Sequence, residues 1–102
     1  MHRTFKITGK VPADGPQTLD MSGYQRVLRK QVQIVSASSA AGSVDIAVRT
    51  PGTDNYMVVE TVNINAGPVV IPVEYYCDSM RFTPASSTAA KEFDISVFCL
   101  QG

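Results

Sequence analysis

Apolar and polar residues alternate along most of this chain. Phe5 and Ile7 share one face of Arg3–Thr8, with Thr4, Lys6 and Thr8 on the other. Gln31–Ile34 and Ser43–Arg49 alternate in the same way, the second with three β-branched residues on one face. Tyr56–Asn65 is a longer run ending in Val62-Asn63-Ile64-Asn65. Val69, Ile71, Val73, Tyr75 and Cys77 share a phase, Met80 and Phe82 follow a turn at Asp78-Ser79, and Phe93, Ile95, Val97 and Cys99 form a last inward row. A period of two over such lengths predicts half-buried strands, and no segment sustains a helical period. Leu19–Lys30 is less regular: Tyr24–Lys30 reads equally as a helical turn or a strand.

Turn residues separate the runs. Pro12-Ala13-Asp14-Gly15-Pro16 and Asn65-Ala66-Gly67-Pro68 carry turn chemistry, and Thr50–Asn55 predicts a protruding hairpin loop. Pro72 interrupts an apolar run, cannot donate to a ladder, and so marks an edge strand or a bulge. Such an edge, Pro68–Tyr76, needs covering by a sister subunit or a partner. The expected fold is all-β: one antiparallel β-sandwich over residues 1–102, jelly-roll-like, with about eight strands and a basic N-terminal segment (1–30).

Composition agrees with one modest core: 102 residues, 44% of them hydrophobic. No apolar run reaches the length of a bilayer span, and Met1–Lys6 leads directly into a strand rather than a signal peptide. Synthesis in a cytosol, without membrane partnership, is the expectation. Cys77 and Cys99 fall on inward phases. Two buried free thiols acting as small hydrophobes, a cross-strand disulfide, and half of a metal site are all compatible with that. The absence of a Cys-x-x-Cys pair and the single histidine argue for the thiols. Ile34–Val48 and Arg81–Val97 echo each other: each is a strand, a small Ala/Ser loop and a second strand with an Asp-Ile core. Two hairpins under the same constraints would converge on this pattern without symmetry, and both loops are suited to lying against a surface.

Catalytic chemistry finds little to work with. The one histidine, His2, lies at the N-terminus, away from any base position beside a Ser or Cys nucleophile. No glycine-rich phosphate loop precedes a helix. Asp45, Asp94, Glu60 and Glu74 lie in or near strands, where outward carboxylates are normally solvated rather than paired across a cleft. Asp14, Asp54 and Asn55 do not form the dense ligand series of a calcium loop. The expectation is a non-enzyme with no cofactor and no metal.

Charge is uneven although the net charge is zero. Residues 1–30 hold six basic and two acidic residues; residues 31–102 hold three basic and seven acidic ones. Arg3, Lys6, Arg26, Arg29 and Lys30 are therefore the candidate partner-binding residues, docking on an acidic surface of a partner or of a sister subunit. Nucleic acid is a poorer fit, because the chain is not basic overall and its basic residues are not interleaved with aromatics.

A basic start, a Pro/Gly turn, strands such as Val44–Gly52, and Met80-Arg81-Phe82-Thr83-Pro84 leading into Phe93–Val97 make a sequence that resembles the small all-β virion proteins of tailed bacteriophages. The likeness is to their jelly-roll capsid decoration or cementing proteins in particular. The resemblance implies a homo-oligomer on the outside of a capsid, clamping neighbouring major capsid subunits, with the virion as its location. It also extends to tail and fibre components. A carbohydrate-binding sandwich is the alternative of another class. It would stack sugar rings on exposed aromatics, here Tyr56, Tyr75 and Tyr76. A hydrolase using the strand carboxylates is a third.

Overall fold

The alternating runs form strands. A computed structural model describes residues 2–21, 23 and 28–100, apart from the side chains of His2 and Leu100. The strands are β1 (His2–Lys10), β2 (Gln17–Asp20), β3 (Arg29–Ser36), β4 (Gly42–Arg49), β5 (Tyr56–Asn63), β6 (Gly67–Val73), β7 (Ser79–Ser86) and β8 (Phe93–Leu100). They make two four-stranded antiparallel sheets, ordered β1-β8-β3-β6 and β2-β7-β4-β5. Strand one pairs with eight, two with seven, three with six and four with five. That is one long hairpin rolled up on itself, the jelly roll. Its tip is the β4–β5 turn, where Pro51 and Gly52 (φ 88°) take the central positions and Thr53 N–H returns to Thr50 O at 3.1 Å.

The predicted inward rows meet between the sheets. Val32, Ile34, Val44, Ile46, Val62, Ile64, Met80, Phe82, Phe93, Ile95, Val97 and both cysteines are buried. Cys77 and Cys99 are free thiols. Phe5, Ile7, Val69 and Ile71 pack against this core from strands at the sheet edges and stay half-buried. Three details differ from the sequence pattern. β2 is a strand of its own, and Tyr24–Val27 lie outside the described residues. β6 ends at Val73, so Tyr75 leaves the inward phase and is 49% exposed. In β5 the pairing slips between Ile46 and Ala47, leaving Val59 as an extra residue and Met57 and Val58 exposed.

Three of the four connections at one end of the roll, β3–β4, β5–β6 and β7–β8, are held together by one lysine. Lys91 is fully buried. Its ammonium donates to the carbonyls of Ser38 (2.8 Å), Ala40 (2.7 Å) and Asn65 (2.5 Å). These carbonyls come from the β3–β4 and β5–β6 connections, both of which cross between sheets. The two Ala/Ser loops noted in the sequence do meet here, with Ser86 Oγ donating to Ala41 O at 2.7 Å. They are tied to each other and to Lys91, while Ala37, Ser39, Ala41 and Ser87–Ala90 stay exposed.

Candidate interaction surface

Because side chains alternate across a strand, the outer face of the first sheet is a grid set by register. One row runs Thr4, Phe98, Gln31 and Pro72; the next runs Lys6, Ser96, Gln33 and Val70. Thr4, Lys6, Gln31 and Gln33 are exposed, while Ser96 and Phe98 are half-buried. Two shallow depressions lie on this face, of about 510 and 270 Å³. Gln31 and Phe98 line both. Lys6 lines the larger, and Arg29, Pro72 and Glu74 the smaller.

Of the five predicted docking residues, this face brings together Lys6 and Arg29. Arg3 is exposed but shares the phase of Phe5, and its guanidinium stacks 4.5 Å from the Phe5 ring centre. Arg26 lies outside the described residues. Lys30 is a correction: it is buried, facing inward in register with Cys99, and cannot present its charge to a partner. Its ammonium donates to Leu28 O at 3.4 Å and to Tyr75 O. Burial pulls the amine below its ordinary range, partly opposed by the Cys77 and Cys99 thiols. Burial likewise pushes both thiols up, with Lys30 opposing.

Lys30 therefore does a different job. It pins the backbone on both sides of the lower end of β3, where Leu28, Tyr75 and Tyr76 are 37%, 49% and 56% exposed. The shared Lys30 donor thus sets Leu28 and Tyr75 at the same end of the roll as Arg29. Alternation alone would have identified Lys30, since it sits two residues before Val32 on the same phase. The aromatic pair at Tyr75-Tyr76 was proposed from sequence only for sugars.

On the outer face of the second sheet, the end around Tyr56 is taken up by its own contacts. The Tyr56 ring is covered by the Arg81 guanidinium at 3.8 Å, and its hydroxyl bonds Ser79 Oγ at 2.7 Å. Arg49 pairs with Asp78 at 2.9 Å, and that bond raises the Arg49 pKa. Tyr56 is thus not an open platform for a ring. Asp45 accepts from Thr61 on this face, whereas Asp94 accepts from Gly9 N–H beside the first sheet. These carboxylates do not converge. Among the described residues, no group of three His, Cys, Asp or Glu side chains is placed to hold a metal ion.

No protein-family model matches the chain, and no curated protein sequence does. Solved structures share its fold. The SPBc2 prophage-derived protein YomS superposes with a TM-score of 0.62 at 8% identity, covering 99% of this chain and 96% of that one. The PBSX exported protein XepA superposes at 0.66 and 14% identity over 100% of this chain, which spans 37% of XepA. A variant of CBM29-2, a family 29 carbohydrate-binding module, gives 0.57 at 17% identity, covering 97% of this chain and 71% of the module. Identities this low speak for the fold alone. Among the described residues, no helix is long and apolar enough to cross a membrane.

Proposed function

We propose that this chain is a structural virion protein, a bacteriophage capsid decoration or cementing protein. It would bind the outside of the capsid as a homo-oligomer and stabilise contacts between major capsid subunits. The observation that carries the reading is the surface built around Arg29. It has an apolar group (Leu28, Tyr75, Tyr76) beside exposed basic residues, on a rigid jelly roll whose carboxylates do not converge. An apolar centre supplies affinity and a basic rim sets orientation and on-rate, which is how docking modules divide the work. The fold shared with a prophage-derived protein over nearly both whole chains supports a phage setting.

Co-sedimentation with empty phage shells tests this. The wild-type chain should bind. Arg26→Glu with Arg29→Glu should weaken binding while leaving the domain folded, and binding should fall toward 1 M salt, where the screening length is about 3 Å. Unchanged occupancy in the charge-reversed chain across that range would sink the basic rim, and absence of binding would sink the capsid role. A glycan array addresses the carbohydrate reading, which the exposed Tyr75 and Tyr76 keep in play. Specific sugar capture lost in Tyr75→Ala and Tyr76→Ala would favour it.

A further inference from the structure

A jelly roll of two open sheets has four edge strands, and each edge offers a row of backbone donors and acceptors to another chain. Three edges here carry devices that oppose such pairing. β2 is only four residues long. β6 carries Pro68 and Pro72, which share a phase and have no N–H to donate. β1 has a bulge between Ile7 and Lys10 and three basic residues, Arg3, Lys6 and Lys10, in nine. β5 is the least protected: its one interruption is the bulge at Val59. It is eight residues long, lacks proline, and exposes Met57 (67%) and Val58 (59%). Its single charge is Glu60, which is exposed, and Asp45 lies beside it on β4 opposite Thr61.

Charge decides what can pair with it. Two β1 edges would face base against base, and two β5 edges would bring Glu60 toward its own copy. Only β1 against β5 sets opposite charges together. The regular part of β1, His2–Ile7, is also free of proline and is paired on one side only, to β8. We propose that the β5 edge of one copy takes the β1 edge of a second copy, so that the second sheet of one protomer continues into the first sheet of the next. Lys6 and Glu60 then lie across this junction.

Such a contact is head-to-tail, because the two surfaces differ. It closes into a ring or runs on as a filament, and does not stop at a two-fold dimer. It also gives the acidic and basic halves of the sequence a common purpose within one assembly. The inference rests on the multimeric part of the proposal above, but is independent of any capsid.

Light scattering of the purified full chain over a range of concentrations tests it without particles, so its failure leaves the shell-binding test untouched. The wild-type chain should form species larger than a dimer, and association should weaken as salt rises. Lys6→Glu and Glu60→Lys, both at exposed positions, should each weaken association by on the order of tenfold. A one-to-one mixture of the two should restore it, because every junction in an alternating assembly again pairs opposite charges. Lys6→Gln and Glu60→Gln should give smaller steps in the same direction. A strict monomer at every concentration would overturn the proposal. So would a Glu60→Lys chain that pairs better with wild type while Lys6→Glu changes nothing, since that outcome assigns the contact to β5 against β5.

Discussion

Replacing Lys91 with Met should cost a large part of this domain's stability. The side chain is fully buried and its ammonium satisfies three backbone carbonyls, those of Ser38, Ala40 and Asn65. Hydrogen bonds from a charged donor contribute about 1.5–3 kcal/mol each. Stripping water from the ammonium opposes this by several kcal/mol. Methionine keeps the apolar stem and removes the charge, so the gain and the desolvation cost vanish together and three carbonyls lose their partner. The net loss should be about 2–4 kcal/mol, where a domain of this size holds roughly 5–15 kcal/mol in all. Alanine at 91 also deletes buried methylenes at about 0.8 kcal/mol each and should cost about 2 kcal/mol more. Urea denaturation followed by circular dichroism reads both. Gly42 provides an internal check. A Cβ there would meet Lys91 Cδ and Cε at 2.8 Å and Phe93 Cζ at 3.1 Å. Gly42→Ala should therefore cost about 1–3 kcal/mol in the wild type through overpacking, and much less in a Lys91→Ala background, where the space has opened. A Lys91→Met chain within about 0.5 kcal/mol of wild type would refute the reasoning, because the three loop carbonyls would then have been satisfied by water at no loss.

Phe82→Ala, which removes a fully buried ring from the central strand β7, should destabilise by about 3–5 kcal/mol; a midpoint shift under about 1 kcal/mol would contradict the packing described. Both thiols should resist alkylation in the native state and react after unfolding, read by intact mass, and reductant should leave the mass unchanged. Stability should also fall as pH rises above about 9. Burial raises both thiol pKa values from 9.0, so the unfolded chain releases those protons first and is favoured. Cys77→Ala with Cys99→Ala should flatten that decline. The lowered Lys30 amine works in the opposite sense: the fold gives up its proton before the unfolded chain does, so its contribution improves toward pH 10.5. In Lys30→Met the alkaline decline should accordingly be steeper, and an unchanged slope in denaturation midpoints from pH 8 to 10 would contradict this placement.

Period-two alternation was enough to read the fold class, because in a sandwich each strand must turn one face to the core, and burial selects that face residue by residue. Val32 and Ile34, Val44 and Ile46, and Phe93, Ile95 and Val97 all lie where their phase puts them. Turn residues divided the strands for an equally local reason: proline and a glycine at positive φ leave the chain little else to do at Pro51-Gly52. The edge position of β6 was legible from Pro72. β2 was not, because four residues are too few to show a period.

Only the tertiary structure decided what the charged residues do. Lys30 and Lys91 each sit two residues before the first apolar member of an inward row, Val32 and Phe93. Their phase points them inward, but their type argues for solvent, and composition counts them as surface charge. What settles the matter is the company of loop carbonyls at the two ends of the roll. Those carbonyls come from segments far apart in sequence, and they need donors that water cannot supply once the ends are closed. The same is true of the edges. That β1 and β5 lie at free edges, one basic and one nearly neutral with an acidic residue, follows from a pairing order that no local pattern contains. It depends on how one long hairpin rolls, which is a property of the whole chain.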